Sequence, residues 1–239
     1  MELFTESGVA LIARYLHIAS GITWIGLLYY FNFVQGPAFA QFEAPARTEA
    51  TRKLVPRALA WFRYSALSTW VFGVILITIN VSVLGDGDWG EFFKSPYGIL
   101  ITTGMVLGTI MFLNVWGVIW RNQKVVIASA NATASGGQAD PRTPDLARRA
   151  LLASRTNVVF SIPMLFFMVT AGHLSRLGSS DNKMTFTLVA GLLIAAVELN
   201  ALVGLTGPTK KPLEKVGSTI WSGVILWVIL YAVLEMVQN

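Results

Sequence analysis

The chain has only two histidines, His17 and His173, and each has an arginine three residues away. Arg14 precedes His17 in "RYLH", and Arg176 follows His173 in "HLSR". Residues three apart share a helix face. If the two helices run in opposite directions, each histidine has a cation about one turn nearer the same membrane surface. Two imidazoles from different helices can serve as axial ligands of haem b. Planar guanidinium forks suit its two propionates. Gly21 lies one turn beneath His17 and would leave room for a flat macrocycle, and Trp24 on the same face would pack against it. His17 and His173 are thus the candidate ligands of a haem iron, with Arg14, Arg176, Gly21 and Trp24 as candidate cofactor-binding residues. A plainer alternative stands beside this one. His173 can be an interfacial residue, His17 can bond a neighbouring helix, and the arginines can reach toward headgroups. Two histidines are too few for a divalent metal site.

Glu198 is the second candidate. It sits inside the apolar run "AAVELNALVG", where an ionisable residue is expensive to insert and marks a functional hypothesis. Its expected role is a proton-handling or substrate-contacting carboxylate, catalytic if the chain is an enzyme. Asn114 and Asn200 are its expected neighbours. The alternative is a structural hydrogen bond between helices.

The elements that must position these residues are transmembrane helices. Of the residues 54% are hydrophobic and only 13% charged, against about 25% charged in a soluble domain. There is no cysteine, so disulfides, thiolate metal sites and a Cys-x-x-Cys-His haem attachment are absent together. Six stretches, at about 9–35, 58–84, 98–120, 156–175, 184–206 and 216–237, are long enough to cross a bilayer. Pro37, Pro56, Gly85 and Gly207-Pro208 bound them, and Pro163 inside the fourth frees a carbonyl. Of the 18 Lys and Arg, all but Arg14, Lys94, Arg176 and Lys183 fall on one side. The positive-inside rule makes that side cytoplasmic and leaves both termini periplasmic. The segment "TPDLARRALLASR", 143–155, reads as a short cytoplasmic interfacial helix with Thr143 as N-cap and Pro144 at its first position. The fold expected is therefore an all-α integral membrane protein of six transmembrane helices, one transmembrane domain over 1–239. It is placed in a bacterial inner membrane. The net charge of +5 belongs to basic loops beside the lipid bilayer rather than to nucleic-acid binding.

Three stretches carry a family resemblance: "LHIASGITWIGLLYYF", "NVWGVIWRNQKVVI" and "SRTNVVFSIPMLFFMV". In order and spacing, over about residues 11–170, they resemble the membrane domain of the bacterial urate hydroxylases. That resemblance implies membrane-bound oxidation of urate, in a family whose full-length members add two more helices and a cytochrome c domain. This sequence lacks Cys-x-x-Cys-His, so a separate cytochrome or other membrane subunits are the expected electron partners. Three functions stay open. One is a membrane redox protein that carries haem b. Another is a non-catalytic accessory subunit of a respiratory, photosynthetic or oxygenase complex. The last is a small-solute or proton transporter using Glu198.

Overall fold

A computed structural model describes residues 2–84, 87–174 and 183–238. Six helices in it are long and apolar enough to cross a membrane. They are α1 (Glu6–Gln41), α3 (Val55–Leu84), α5 (Pro96–Ala134), α6 (Thr143–Ala171), α7 (Lys183–Leu202) and α8 (Val216–Gln238). Two short helices, α2 (Ala44–Lys53) and α4 (Trp89–Lys94), lie between spans. Side chains start the helices where expected. Thr5 Oγ1 accepts from Gly8 N, Asp88 caps α4, and Ser95 Oγ accepts from Gly98 N at 2.9 Å. Gly98 is required at the α4–α5 corner, because a Cβ there would lie 1.9 Å from Phe92 O.

The six expected spans are all present, but three of their boundaries move. Pro37 does not end α1. The helix widens into a π-turn over Tyr30–Gln35 and then continues through Pro37 to Gln41. A second π-turn, Asn114–Ile119, interrupts α5, which runs on to Ala134 instead of stopping near residue 120. The segment 143–155 is helical, as read. It is continuous with the fourth span, and Leu152, Ala153 and Arg155 on it are covered by protein. The residue at its N-cap position is Arg142 rather than Thr143.

The bundle is organised around α6. Its most apolar window is two-thirds buried, while those of α1, α3, α7 and α8 are about one-fifth buried. Large apolar side chains such as Ile22, Leu188, Leu192 and Ile225 cover the outer helix faces, which is stable only against lipid. α6 packs chiefly on α5 and α8, and α1 packs on α3. Pro163 lacks the N–H that would bond Val159 O. Gly223 on α8 faces that carbonyl, and a Cβ there would sit 2.9 Å from Val159 O and 2.7 Å from Ile162 Cδ1. The missing side chain lets two backbones approach where a carbonyl is free.

The basic connections gather at one end of the bundle. Arg52 Nε donates to Asn131 Oδ1 at 3.0 Å and Arg148 Nε to Leu205 O at 3.1 Å. Arg148 also makes a two-pronged pair with Glu214. At the other end Lys183 Nζ donates to Lys94 O.

Candidate functional site

The densest polar structure inside the bundle forms along one stripe of α6. Ser154, Asn157 and Ser161 recur at intervals of three and four, so they share a face, and a neighbouring helix reaches each of them. Asn32, in the π-turn of α1, donates Nδ2 to Ser154 Oγ and to Leu28 O, both at 2.8 Å. Tyr29 pairs its hydroxyl with Ser161 Oγ at 2.9 Å. Asn114, at the start of the π-turn of α5, donates Nδ2 to Asn157 Oδ1 at 2.9 Å and to Glu198 Oε2 at 3.1 Å. Asn157 in turn donates to Met111 O at 3.0 Å, just before that π-turn. Asn32, Asn114 and Asn157 are all buried, where a polar group is stable only when bonded. Wide turns of this kind expose backbone groups to side-chain partners and are frequent at functional sites.

Glu198 therefore has one of its two expected neighbours. Asn114 orients its carboxyl, whereas Asn200 turns away and donates to Thr209 O at 3.0 Å. Glu198 is half-buried and bridges α7 to the centre of the bundle. What the arrangement can do chemically is hold one carboxyl oxygen fixed by an amide donor, with the second oxygen left to take or give a proton.

The two histidines stand in different settings. His17 lies between α1 and α3, where its Nδ1 donates to Thr69 O at 2.8 Å. Its ring packs over Gly73, where a Cβ would lie 3.1 Å from His17 Cε1. His173 is exposed at the end of α6 and donates Nδ1 to Val169 O at 2.9 Å. A carbonyl only accepts, so each ring carries its hydrogen on Nδ1 and keeps the Nε2 lone pair. In that tautomer Nε2 can ligate a metal. Among the described residues no bond joins His17 to His173. Gly21 faces α3, with Thr69 Cγ2 at 3.7 Å from where a Cβ would be. Trp24 is buried, and its Nε1 has no partner. Arg14 is exposed on α1, and Arg176 lies outside the described residues. No group of three or more His, Asp or Glu side chains suited to a metal ion occurs among the described residues.

Asn32 and Gln35 lie near the end of the first expected span, where sequence alone assigns a polar residue no role. Both face a cavity of about 250 Å³ at the basic end of the bundle, between α1, α3, α5 and α6. The only available signal was a second asparagine placed, like Asn114, in an aromatic-rich stretch.

The urate oxidase N-terminal family model matches residues 90–235, which is most of the chain. The chain belongs to that family. The match takes in Asn114, Asn157, His173 and Glu198, and two of the three stretches that carried the resemblance. His17 and the α1 π-turn precede it. No curated protein and no solved structure matches the chain. As a urate oxidase N-terminal chain, its polar stripe along α6 and the carboxyl of Glu198 are the features nearest to chemistry.

Proposed function

We propose that the chain is the membrane part of a urate-oxidising oxidoreductase, with haem b held by His17 and His173. The observation that carries the oxidoreductase reading is the family match over residues 90–235. The Nδ1–carbonyl bonds of the two histidines support the cofactor, since each leaves Nε2 as the nitrogen that would hold a haem iron. Bound haem would supply one-electron transfer. The chain's own residues do the rest. Thr69 and Val169 fix the ring tautomers, Arg14 and Arg176 would supply cations for propionates, and Trp24 would complete the α1 face, while Gly21 closes against Thr69 of α3. Glu198, oriented by Asn114, takes up a proton released when urate is oxidised. The electrons leave to a separate cytochrome or another membrane subunit, and the basic end of the bundle faces the cytoplasm of a bacterial inner membrane.

The test is purification of the full chain in mild detergent, followed by a pyridine haemochrome assay and urate consumption with an artificial electron acceptor. Expected are a b-type spectrum, its loss in His17→Ala and in His173→Ala, and urate-dependent acceptor reduction. Full recovery of protein with no Soret band would remove the cofactor. A Soret band retained in both variants would remove these ligands. Urate left unconsumed in membranes that hold the chain and its electron acceptor would remove the activity.

A further inference from the structure

We propose that Arg155 is the centre of a phosphate-binding site at the basic end of the bundle, where α6 meets the connection between α7 and α8. Arg155 is only 6% exposed. Its Nε and Nη1 are enclosed and bonded to nothing. Its Nη2 is not enclosed, and makes no hydrogen bond or ion pair among the described residues. A guanidinium stays charged at any physiological pH, and a buried charge without a partner is costly to hold. An anion has access at the Nη2 corner. The charge is shared over the planar group, so one anion there balances the enclosed nitrogens as well.

No nearby carboxylate of the chain is free for that task. Glu214 lies within reach of the Arg155 charge: its carboxyl is held below the ordinary range by the Arg148 bond first, and then by the charges of Arg148 and Arg155. Both Glu214 oxygens are taken by Arg148. Arg148 and Arg155 are seven residues apart on α6, about two turns, and so share a face. Lys210 adds a third cation. It is buried, donates Nζ to Val203 O at 2.9 Å, and is pushed below its ordinary range by burial and by the Arg148 charge. An ammonium has three hydrogens, so the Val203 bond leaves two. Three cations against the one carboxylate leave an excess of two positive charges.

A phosphate group suits this place. Its oxygens accept several charge-assisted bonds at once from arginine and lysine. The depth favours the phosphate of a lipid headgroup. The apolar run of α6 begins at Thr156, just past Arg155, α7 ends at Leu202 and α8 begins at Val216. Three spans thus enter or leave the bilayer around this cluster, and basic pockets between helices at that level bind anionic headgroups.

The test is the thermal midpoint of the full chain, delipidated in neutral detergent. Additions are phosphatidylglycerol, diacylglycerol (the same chains without phosphate), and inorganic phosphate against chloride at equal ionic strength. Arg155→Met removes the charge and keeps most of the stem. Lys211→Gln removes an exposed charge beside the cluster. Phosphatidylglycerol is expected to raise the midpoint of wild type and Lys211→Gln by about 5 °C or more at saturation, and that of Arg155→Met by less than about 1 °C. Without lipid, Arg155→Met should melt level with wild type or above it, because an unpaired charge is gone. Their order then reverses when the lipid is added. A gain from the lipid alone assigns the site to a headgroup, and an equal gain from inorganic phosphate assigns it to free phosphate; either upholds it. The same gain in wild type and Arg155→Met would overturn the site, as would a gain from diacylglycerol as large as that from phosphatidylglycerol, or no gain from any phosphate. Arg155→Met melting below wild type by one constant margin in every condition would make the arginine a structural tie and overturn the site too. Arg155→Gln takes the place of the methionine variant if that one does not fold.

Discussion

Replacing Asn157 with leucine should cost stability, while replacing Glu198 with leucine should not. Asn157 is fully buried and ties α6 to α5 twice, accepting from Asn114 at 2.9 Å and donating to Met111 O at 3.0 Å. A hydrogen bond between membrane helices averages about 0.6 kcal/mol and reaches about 1.7 kcal/mol. Asn157→Leu removes two, and deprives the Met111 carbonyl of its side-chain donor at the entrance to the π-turn. The loss expected is about 1–3 kcal/mol, or roughly 2–12 °C at about 2–4 °C per kcal/mol for a chain of this length. Glu198→Leu removes a single 3.1 Å bond from a half-buried position. It also removes an acidic group whose place in a membrane helix costs a few kcal/mol, so the thermal midpoint should stay level or rise. Eight tryptophans give the fluorescence signal for thermal unfolding in detergent. If Glu198→Leu lowers the midpoint as far as Asn157→Leu, the carboxyl is a structural tie and its proposed proton role loses its basis.

Other substitutions test the packing. Gly223→Val places a Cβ within 3 Å of Val159 O and Ile162 Cδ1, and should lower the midpoint by about 1–3 kcal/mol equivalent as α8 is pushed off α6. Gly98→Ala meets Phe92 O at 1.9 Å and should reduce the yield of monodisperse protein on size exclusion more than Gly117→Ala, whose Cβ meets nothing within 4 Å. The Arg148 guanidinium bonded to Glu214 holds that carboxyl below its ordinary range. The pair's contribution, under about 1 kcal/mol because both groups are partly exposed, is present above the ordinary carboxylate pKa and fades as pH falls through the lowered one. The midpoint difference between wild type and Glu214→Gln should therefore shrink toward zero on acidification; a difference that grows would contradict the assignment.

Hydropathy made the six spans legible, because each needs a long apolar run whatever its neighbours are. Helix ends were less so. Pro37 looks like a stop in sequence, yet α1 passes it after widening into a π-turn, whose Asn32 bonds Ser154 on α6. The helix of 143–155 was visible from its threonine and proline, but its continuity with the next span was not, since the arginines of "ARRALLASR" resemble a surface helix. Glu198 stood out as a carboxylate in an apolar run, and Asn114 was a reachable partner. Asn157 falls in the first turn of the span expected from about 156, where a polar residue carries no signal of its own. Bonds between helices depend on their order around the bundle, which hydropathy does not encode. That Thr69 is the tertiary partner of His17, and that a cavity lies beside Asn32 and Gln35, were therefore out of reach.

The most direct measurement is an anaerobic optical difference spectrum of the purified full chain before and after urate is added. The expected result is the appearance of reduced b-type bands, diminished in Glu198→Gln and absent in His17→Ala. A spectrum unchanged by urate, in protein shown to be folded and to hold haem, would contradict urate-driven electron transfer through this chain.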